Sequence, residues 1–192
     1  MSHPAQINFC KRVRSMLPAY FKKVNVIDVG SKDINGTNKG LFSRCHYIGI
    51  DLSEGKNVDV VGPAHIVLPS LLPKLNSYVT WSDKHKRIQD GDRFETIIST
   101  ECLEHDRYLV QTLEEMYKKL KAGGLLIISC GGDGRWVHGT SDSHPELSPD
   151  TTDYYMNISN RIFSGILPPS LFDVYHLAQV DHDLQFYGLK NS

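Results

Sequence analysis

The run Leu125-Leu-Ile-Ile-Ser129 has no polar alternation, so a strand built from it must be buried on both faces. A sheet covered by a layer on each side meets that demand, and such sheets are mainly parallel. The segment before it agrees. From about Leu103 to Leu120, the residues Leu109, Leu113, Met116, Tyr117 and Leu120 share one helical side, and Lys121-Ala-Gly-Gly124 is expected to stop that helix.

The same alternation extends in both directions. Ile7, Val13, Met16, Leu17 and Tyr20 predict a leading amphipathic helix from about Gln6 to Phe21. Val24-Asn-Val-Ile-Asp-Val29 is a β-branched strand run ended by Gly30, and the turn-rich Ser31-Lys-Asp-Ile-Asn-Gly36 leads toward an expected helix. His46 to Ile50, ending at Asp51, reads as a second strand, Val58 to Val61 as a short third and Phe94 to Thr100 as a fourth. Between Ala64 and Asp92, Pro69, Pro73 and a polar cluster suggest one helix and a long surface loop. A Gly-rich polar loop from Gly131 to Asp150 precedes an expected helix from Thr151 to Phe163, and Leu177 to Leu189 alternates as a terminal hairpin. The predicted fold is α/β: a Rossmann-like, doubly wound, mainly parallel sheet with an antiparallel C-terminal hairpin and helices on both faces. One domain is expected over residues 1–192.

Composition narrows the function classes. A net charge of −1 argues against an extended nucleic-acid footprint, and the basic Lys11, Arg12, Arg14, Lys22 and Lys23 read as a solvated face. Cys10, Cys45, Cys102 and Cys130 lack the paired spacing of zinc or redox sites and read as reduced structural thiols. No apolar run approaches the roughly 18 to 20 residues of a membrane span, and Met1-Ser-His-Pro4 lacks a signal-peptide layout. A cytoplasmic protein is expected, with homo-oligomerisation left open.

The chemistry concentrates at the predicted strand ends. In an open parallel sheet these ends meet at one crevice, where a glycine-rich first loop lets a ligand approach the backbone. Asp28-Val-Gly30-Ser-Lys-Asp33-Ile-Asn-Gly36 occupies that place, and Asp51, at the end of the second strand, can accept two hydrogen bonds from a ribose diol. A dehydrogenase shares this layout. The loop, however, lacks the phosphate-cradling Gly-x-Gly-x-x-Gly, which a cofactor without phosphate does not need.

With these motifs in place, Asp28-Val-Gly30, Tyr47-Ile-Gly-Ile-Asp51, the Phe94 to His105 segment and Leu120-Lys-Ala-Gly-Gly-Leu-Leu-Ile-Ile128 resemble successive motifs of the class I S-adenosylmethionine-dependent methyltransferases, of the type 11-like kind. The likeness covers about two-thirds of the chain. It implies S-adenosylmethionine as cofactor, with Asp28, Gly30, Ser31, Asp33 and Gly36 around its methionine portion, Asp51 and Leu52 at the ribose, and Thr100 lining the crevice. The family's fuller glycine pattern is reduced here to Gly30 and Gly36, and the acid often found near the adenine is replaced within Gly62-Pro63-Ala64-His65.

Glu101-Cys-Leu-Glu104-His105 follows the fourth strand, and a helix beginning there would bring Glu101, Glu104 and His105 onto one face. Two carboxylates and an imidazole suit Mg²⁺ or Mn²⁺, and His138 in the next loop, preferred over His144, could complete such a site. The arrangement is similar to the metal motif of small-RNA 3′-end 2′-O-methyltransferases and of ubiquinone-pathway catechol O-methyltransferases. Without a metal, the same pair caps a helix or lines a pocket. His105 or His138 would then be ligand or general base.

The resemblance of residues 131–155 to methyltransferases associated with polysaccharide modification implies O-methylation of a sugar or glycan hydroxyl. A small-molecule or glycan acceptor is therefore the expected partner. Two alternatives stay open: an RNA 2′-O-methyltransferase, opposed by the absence of a separate RNA-binding domain, and a noncatalytic interaction protein on the same fold.

Overall fold

A computed structural model describes residues 4–72, 93–148, 150–151 and 153–192. The seven strands are β1 (Asn25–Val29), β2 (His46–Asp51), β3 (Val60–Val61), β4 (Phe94–Thr100), β5 (Leu120–Gly131), β6 (Phe172–Val180) and β7 (Asp183–Lys190). They form one sheet in the order β3-β2-β1-β4-β5-β7-β6. All pairs from β3 to β5 are parallel, whereas β7 runs antiparallel to both β5 and β6. Among the described residues the α-helices are α1 (Pro4–Met16), α2 (Ala64–Val67), α3 (Leu109–Lys119) and α4 (Asn160–Ile166).

Strand β5 divides its buried residues between the two faces, as a strand with a side-chain period of two must. Leu125 and Ile127 join Phe9, Cys10 and Val13 of α1 in one core. Leu126 and Ile128 join Leu113 and Met116 of α3 and Phe163 of α4 in the other. The central strands are thus apolar on both sides because each side has its own helical layer.

Several element boundaries differ from the sequence expectation, each for a local reason. The leading helix stops at Met16, and Pro18 to Phe21 form a 3-10 turn, since proline supplies no backbone N–H to continue an α-helix. No α-helix forms between Gly30 and β2. The polar loop there bonds to itself, with Asp33 Oδ1 accepting from Gly36 N and Thr37 Oγ1 from Lys39 N, and only Lys39 to Leu41 make a 3-10 turn. The expected helix from Leu103 to Leu120 is broken into a 3-10 turn at Leu103–His105 and the later α3. Asp106 marks the new start by accepting from Tyr108 N and from the Thr112 hydroxyl.

Lys121-Ala-Gly-Gly124 does not terminate a helix but lies inside β5. There the pairing steps from Phe94↔Leu120 to Thr96↔Leu125, and the extra residues bulge at Gly123, whose φ is 67°. The helix expected over Thr151 to Phe163 begins only at Asn160, where Ser159 Oγ accepts from Ile162 N. Before it, Met156 N bonds Glu104 O and Ile158 N bonds Gly131 O, which ties the chain across the strand ends in extended form. The terminal hairpin also begins earlier than Leu177, at Phe172. Of the helix and loop expected between Ala64 and Asp92, α2 and a 3-10 turn at Leu68–Ser70 are seen, and residues 73–92 lie outside the described residues. Among the described residues, no helix is long and apolar enough to cross a membrane.

Candidate functional site

Parallel register brings Val29, Ile50 and Ser99 to the same level, so the loops after β1, β2 and β4 open at one edge of the sheet. A cleft forms there, and its lining includes Asp28, Gly30, Ser31, Gly36, Asp51, Leu52 and Thr100. Gly30 has φ 80°, and a Cβ on it would lie 2.4 Å from the Cβ of Cys102. The β1 loop can therefore press against the β4 loop only with glycine at this position.

Asp28 is buried on the cleft wall. Its Oδ2 accepts a short hydrogen bond from the Tyr47 hydroxyl, while Oδ1 has no partner among the described residues. Burial pushes the Asp28 carboxyl up to about 7, against the lowering effect of the Tyr47 bond. Asp51 accepts from Lys32 N at 2.9 Å and from Leu52 N at 2.8 Å. Each oxygen keeps a second lone pair for a ligand hydroxyl, and burial again raises the acid.

Thr100 is positioned from a distance. Gln6 of α1 donates to Asn38 Oδ1 at 3.0 Å, and Asn38 Nδ2 donates to Thr100 Oγ1 at 2.8 Å. Ser31 Oγ donates to Asn57 O, which holds the β1 loop to the turn before β3. Asp33 is outside the cleft lining. Its carboxylate binds Lys56 Nζ at 2.6 Å and accepts from Gly36 N, so it braces the loop from behind.

The opposite wall comes from residues that the sequence reading passed over, including Leu147, Ser148, Asp150 and Thr151. Lys32 Nζ joins the walls through contacts of 2.7 Å to both Asp150 Oδ2 and Ser53 Oγ. Neither a motif nor periodicity marks these residues. Their sequence signals are the resemblance over residues 131–155, which assigned none of them a role, and their place after β5, the next strand of the same parallel edge.

The four expected metal ligands come together around His105, but not in the expected form. Glu101 has left-handed backbone, with φ 53°, and Leu103–His105 is a 3-10 turn, so no α-helical face aligns Glu101, Glu104 and His105. Glu101 Oε2 faces Arg135 at 3.4 Å, and Arg135 also binds Asp183 at 2.6 Å. His105 has both ring nitrogens engaged: Nδ1 with Tyr154 O and Nε2 with Ser148 Oγ, each at 3.2 Å. Its ring stands edge-on to His138, with centroids 5.1 Å apart, and edge-on to Tyr155 at 5.2 Å. Among the described residues, no group of His, Cys, Asp and Glu is arranged to hold a metal ion.

Burial and the neighbouring His138 hold His105 down at about 4, so its imidazole is neutral at pH 7. His138 is lowered too, first by burial, and its Nδ1 meets Trp136 O. Glu104 is buried, and neither carboxyl oxygen has a hydrogen-bond partner among the described residues. Burial and the adjacent Glu101 raise it, which favours a protonated carboxyl. Of this group, Glu101 and His105 line the cleft, while Glu104 and His138 stand behind them.

No family model and no curated protein sequence matches the chain. Solved structures do share its architecture. A SAM-dependent methyltransferase from Archaeoglobus fulgidus aligns at a TM-score of 0.57 and 16% identity, over 96% of this chain and 94% of that one. The 1,6-didemethyltoxoflavin-N1-methyltransferase of Burkholderia thailandensis, bound to S-adenosylhomocysteine, aligns at 0.58 and 15%, over 98% and 79%. The phosphoethanolamine N-methyltransferase 2 of Haemonchus contortus, also with S-adenosylhomocysteine, aligns at 0.60 and 13%, over 96% of this chain and 53% of that one. At such identities the likeness establishes the fold: the Rossmann-like fold of class I methyltransferases, with its antiparallel C-terminal pair.

Proposed function

We propose that the protein is an S-adenosylmethionine-dependent O-methyltransferase acting on a hydroxyl of a sugar or glycan. The observation that carries the methyltransferase reading is the cleft itself, which joins Asp28, Gly30, Asp51 and Thr100 on one wall to His105 on the other. The residues suit the cofactor: Gly30 admits close backbone approach, Asp28 offers an unpartnered buried oxygen to a cationic group, and the spare lone pairs of Asp51 match a ribose diol. Two of the solved neighbours are named N-methyltransferases, so the choice of oxygen rests on the base, and the sugar rests on the loop resemblance.

When bound, the cofactor supplies a methyl group activated by its sulfonium for in-line displacement. The protein positions the acceptor and removes its proton. In the neutral His105, the Tyr154 carbonyl accepts the Nδ1 proton, which leaves the Nε2 lone pair facing Ser148. An acceptor hydroxyl that replaces the Ser148 hydroxyl would give its proton to Nε2 as its oxygen gains the methyl. Burial keeps that imidazole neutral before reaction, and the neighbouring His138 acts in the same direction. No step is assigned to a divalent metal, because Arg135 holds Glu101 and, among the described residues, the neighbouring expected ligands are not arranged to hold an ion.

Calorimetric titration of S-adenosylmethionine and S-adenosylhomocysteine tests the reading. Saturable binding to the wild-type chain that weakens at least tenfold in Asp51→Ala is expected, since a lost charged hydrogen-bond pair is worth about 1.5–3 kcal/mol. No binding of either compound would overturn the proposal and favour a noncatalytic role on the same fold.

A further inference from the structure

A row of rings runs behind the cleft wall from His105 to the surface. His105 lines the cleft, His138 stands 5.1 Å from His105, Trp136 lies 4.7 Å from His138, and His144 lies 5.5 Å from Trp136. The inner members are buried, but Trp136 is 52% exposed. Its indole sits on a fixed backbone. Asn157 Nδ2 holds Arg135 O at 3.0 Å, Ser143 Oγ holds Val137 O at 2.7 Å, and the Arg135 side chain is anchored on Asp183 and Glu101. An exposed indole held on both sides is a preorganised surface that loses little freedom when a ligand covers it.

The charge around it selects the ligand. Residues 131–155 carry Asp133, Asp142, Glu146, Asp150 and Asp153, against Arg135 as their one Lys or Arg. That cation is already engaged by two carboxylates. Nucleic-acid affinity comes largely from phosphate contacts to Lys and Arg, and this segment offers the opposite sign. Asp150 is paired with Lys32, Glu146 with His144 and Asp153 with Ser141, so the surround disfavours an anion without offering a free site for a cation. A neutral ring with an apolar face for the indole and hydroxyls at its edge suits the platform.

We infer that Trp136 is the specificity-determining platform on which a neutral sugar ring of the acceptor stacks beside the cleft, so that a hydroxyl of the same acceptor reaches His105 from the cleft side. The inference rests on the methyltransferase reading for the use made of that hydroxyl, but the stacking itself can be measured without methyl transfer. The full chain, ¹⁵N-labelled and with S-adenosylhomocysteine added, is titrated with methyl glycosides of glucose, galactose, mannose, rhamnose and N-acetylglucosamine, and separately with a short single-stranded RNA. The indole N–H resonance of Trp136, assigned with Trp136→Phe, is followed throughout.

A saturable shift with at least one glycoside is expected in the wild-type chain, and calorimetry with that glycoside, which needs no indole, should show binding about tenfold weaker in Trp136→Ala and largely retained in Trp136→Phe. An indole unmoved by every glycoside, or moved by RNA alone, would overturn the inference. If S-adenosylhomocysteine fails to bind while a glycoside still shifts the indole, the methyltransferase reading falls and the sugar platform stands.

Discussion

Asp28 shows how one buried side chain links stability to ligand binding. Its carboxyl is raised from an ordinary 3.8 to about 7 by burial, so the folded chain binds a proton that the unfolded chain has already released between those values. A raised acid contributes stability that is fully present below the unfolded pKa and is lost as pH rises through the folded one. Urea unfolding of the wild-type chain should therefore carry an Asp28 contribution that falls between about pH 4 and pH 7, by on the order of 3 kcal/mol; Asp51 and Glu104 add in the same direction, and His105, held down at about 4, opposes them. Asp28→Asn should flatten that slope while weakening cofactor binding; an unchanged slope would remove Asp28 as its source. Gly30 makes a second prediction of the same scale. Gly30→Ala combines positive φ with a Cβ 2.4 Å from Cys102, so a loss of about 1–3 kcal/mol is expected in urea unfolding, together with loss of S-adenosylhomocysteine binding in calorimetry.

Elements were legible in the sequence where one periodicity governed them, and illegible where side chains compete with it. The strands β1, β2 and β4 and the buried run of β5 carry β-branched or continuous apolar residues and lie close to their expected places. The segment after β4 does not. Apolar spacing alone extends a helix back to Leu103, but Asp106 takes Tyr108 N and the Thr112 hydroxyl and starts α3 later. Asp106→Ala should cost about 1 kcal/mol, and for a chain of this size a thermal midpoint lowered by about 2–4 °C would report it. The same break explains what was missed in the site. Once Glu101 turns left-handed and Leu103–His105 tightens into a 3-10 turn, residues that share a helical face on paper diverge. The cofactor wall was readable because it follows strand ends, whereas Ser148, Asp150 and Thr151 depend on ties such as Met156 N to Glu104 O that no local pattern encodes.

At the scale of the whole molecule, the strand order places four loops at one edge, and the question is what balances the acids gathered there. Glu101, Glu104 and Asp183 lie around the end of β5, and a divalent ion is one general answer to such a cluster. This fold contains a different one. Arg135, on the loop after β5, reaches Asp183 at 2.6 Å and Glu101 at 3.4 Å, while burial and the neighbouring Glu101 raise Glu104 toward its neutral form. His105, which would have to give a nitrogen to the ion, has both committed to Ser148 and Tyr154. Adding Mg²⁺ or Mn²⁺, or removing divalent ions with EDTA, is therefore expected to leave both the thermal midpoint and S-adenosylhomocysteine affinity unchanged. Arg135→Ala should behave differently, because it removes a guanidinium that two carboxylates share. A loss of about 3 kcal/mol is expected in urea unfolding, and in that variant alone Mn²⁺ should recover part of the stability by taking the place of the guanidinium. If Mn²⁺ instead stabilises the wild-type chain by a saturable shift of the midpoint, the ion displaces Arg135 from Glu101, and the charge balance drawn here for the end of β5 is wrong.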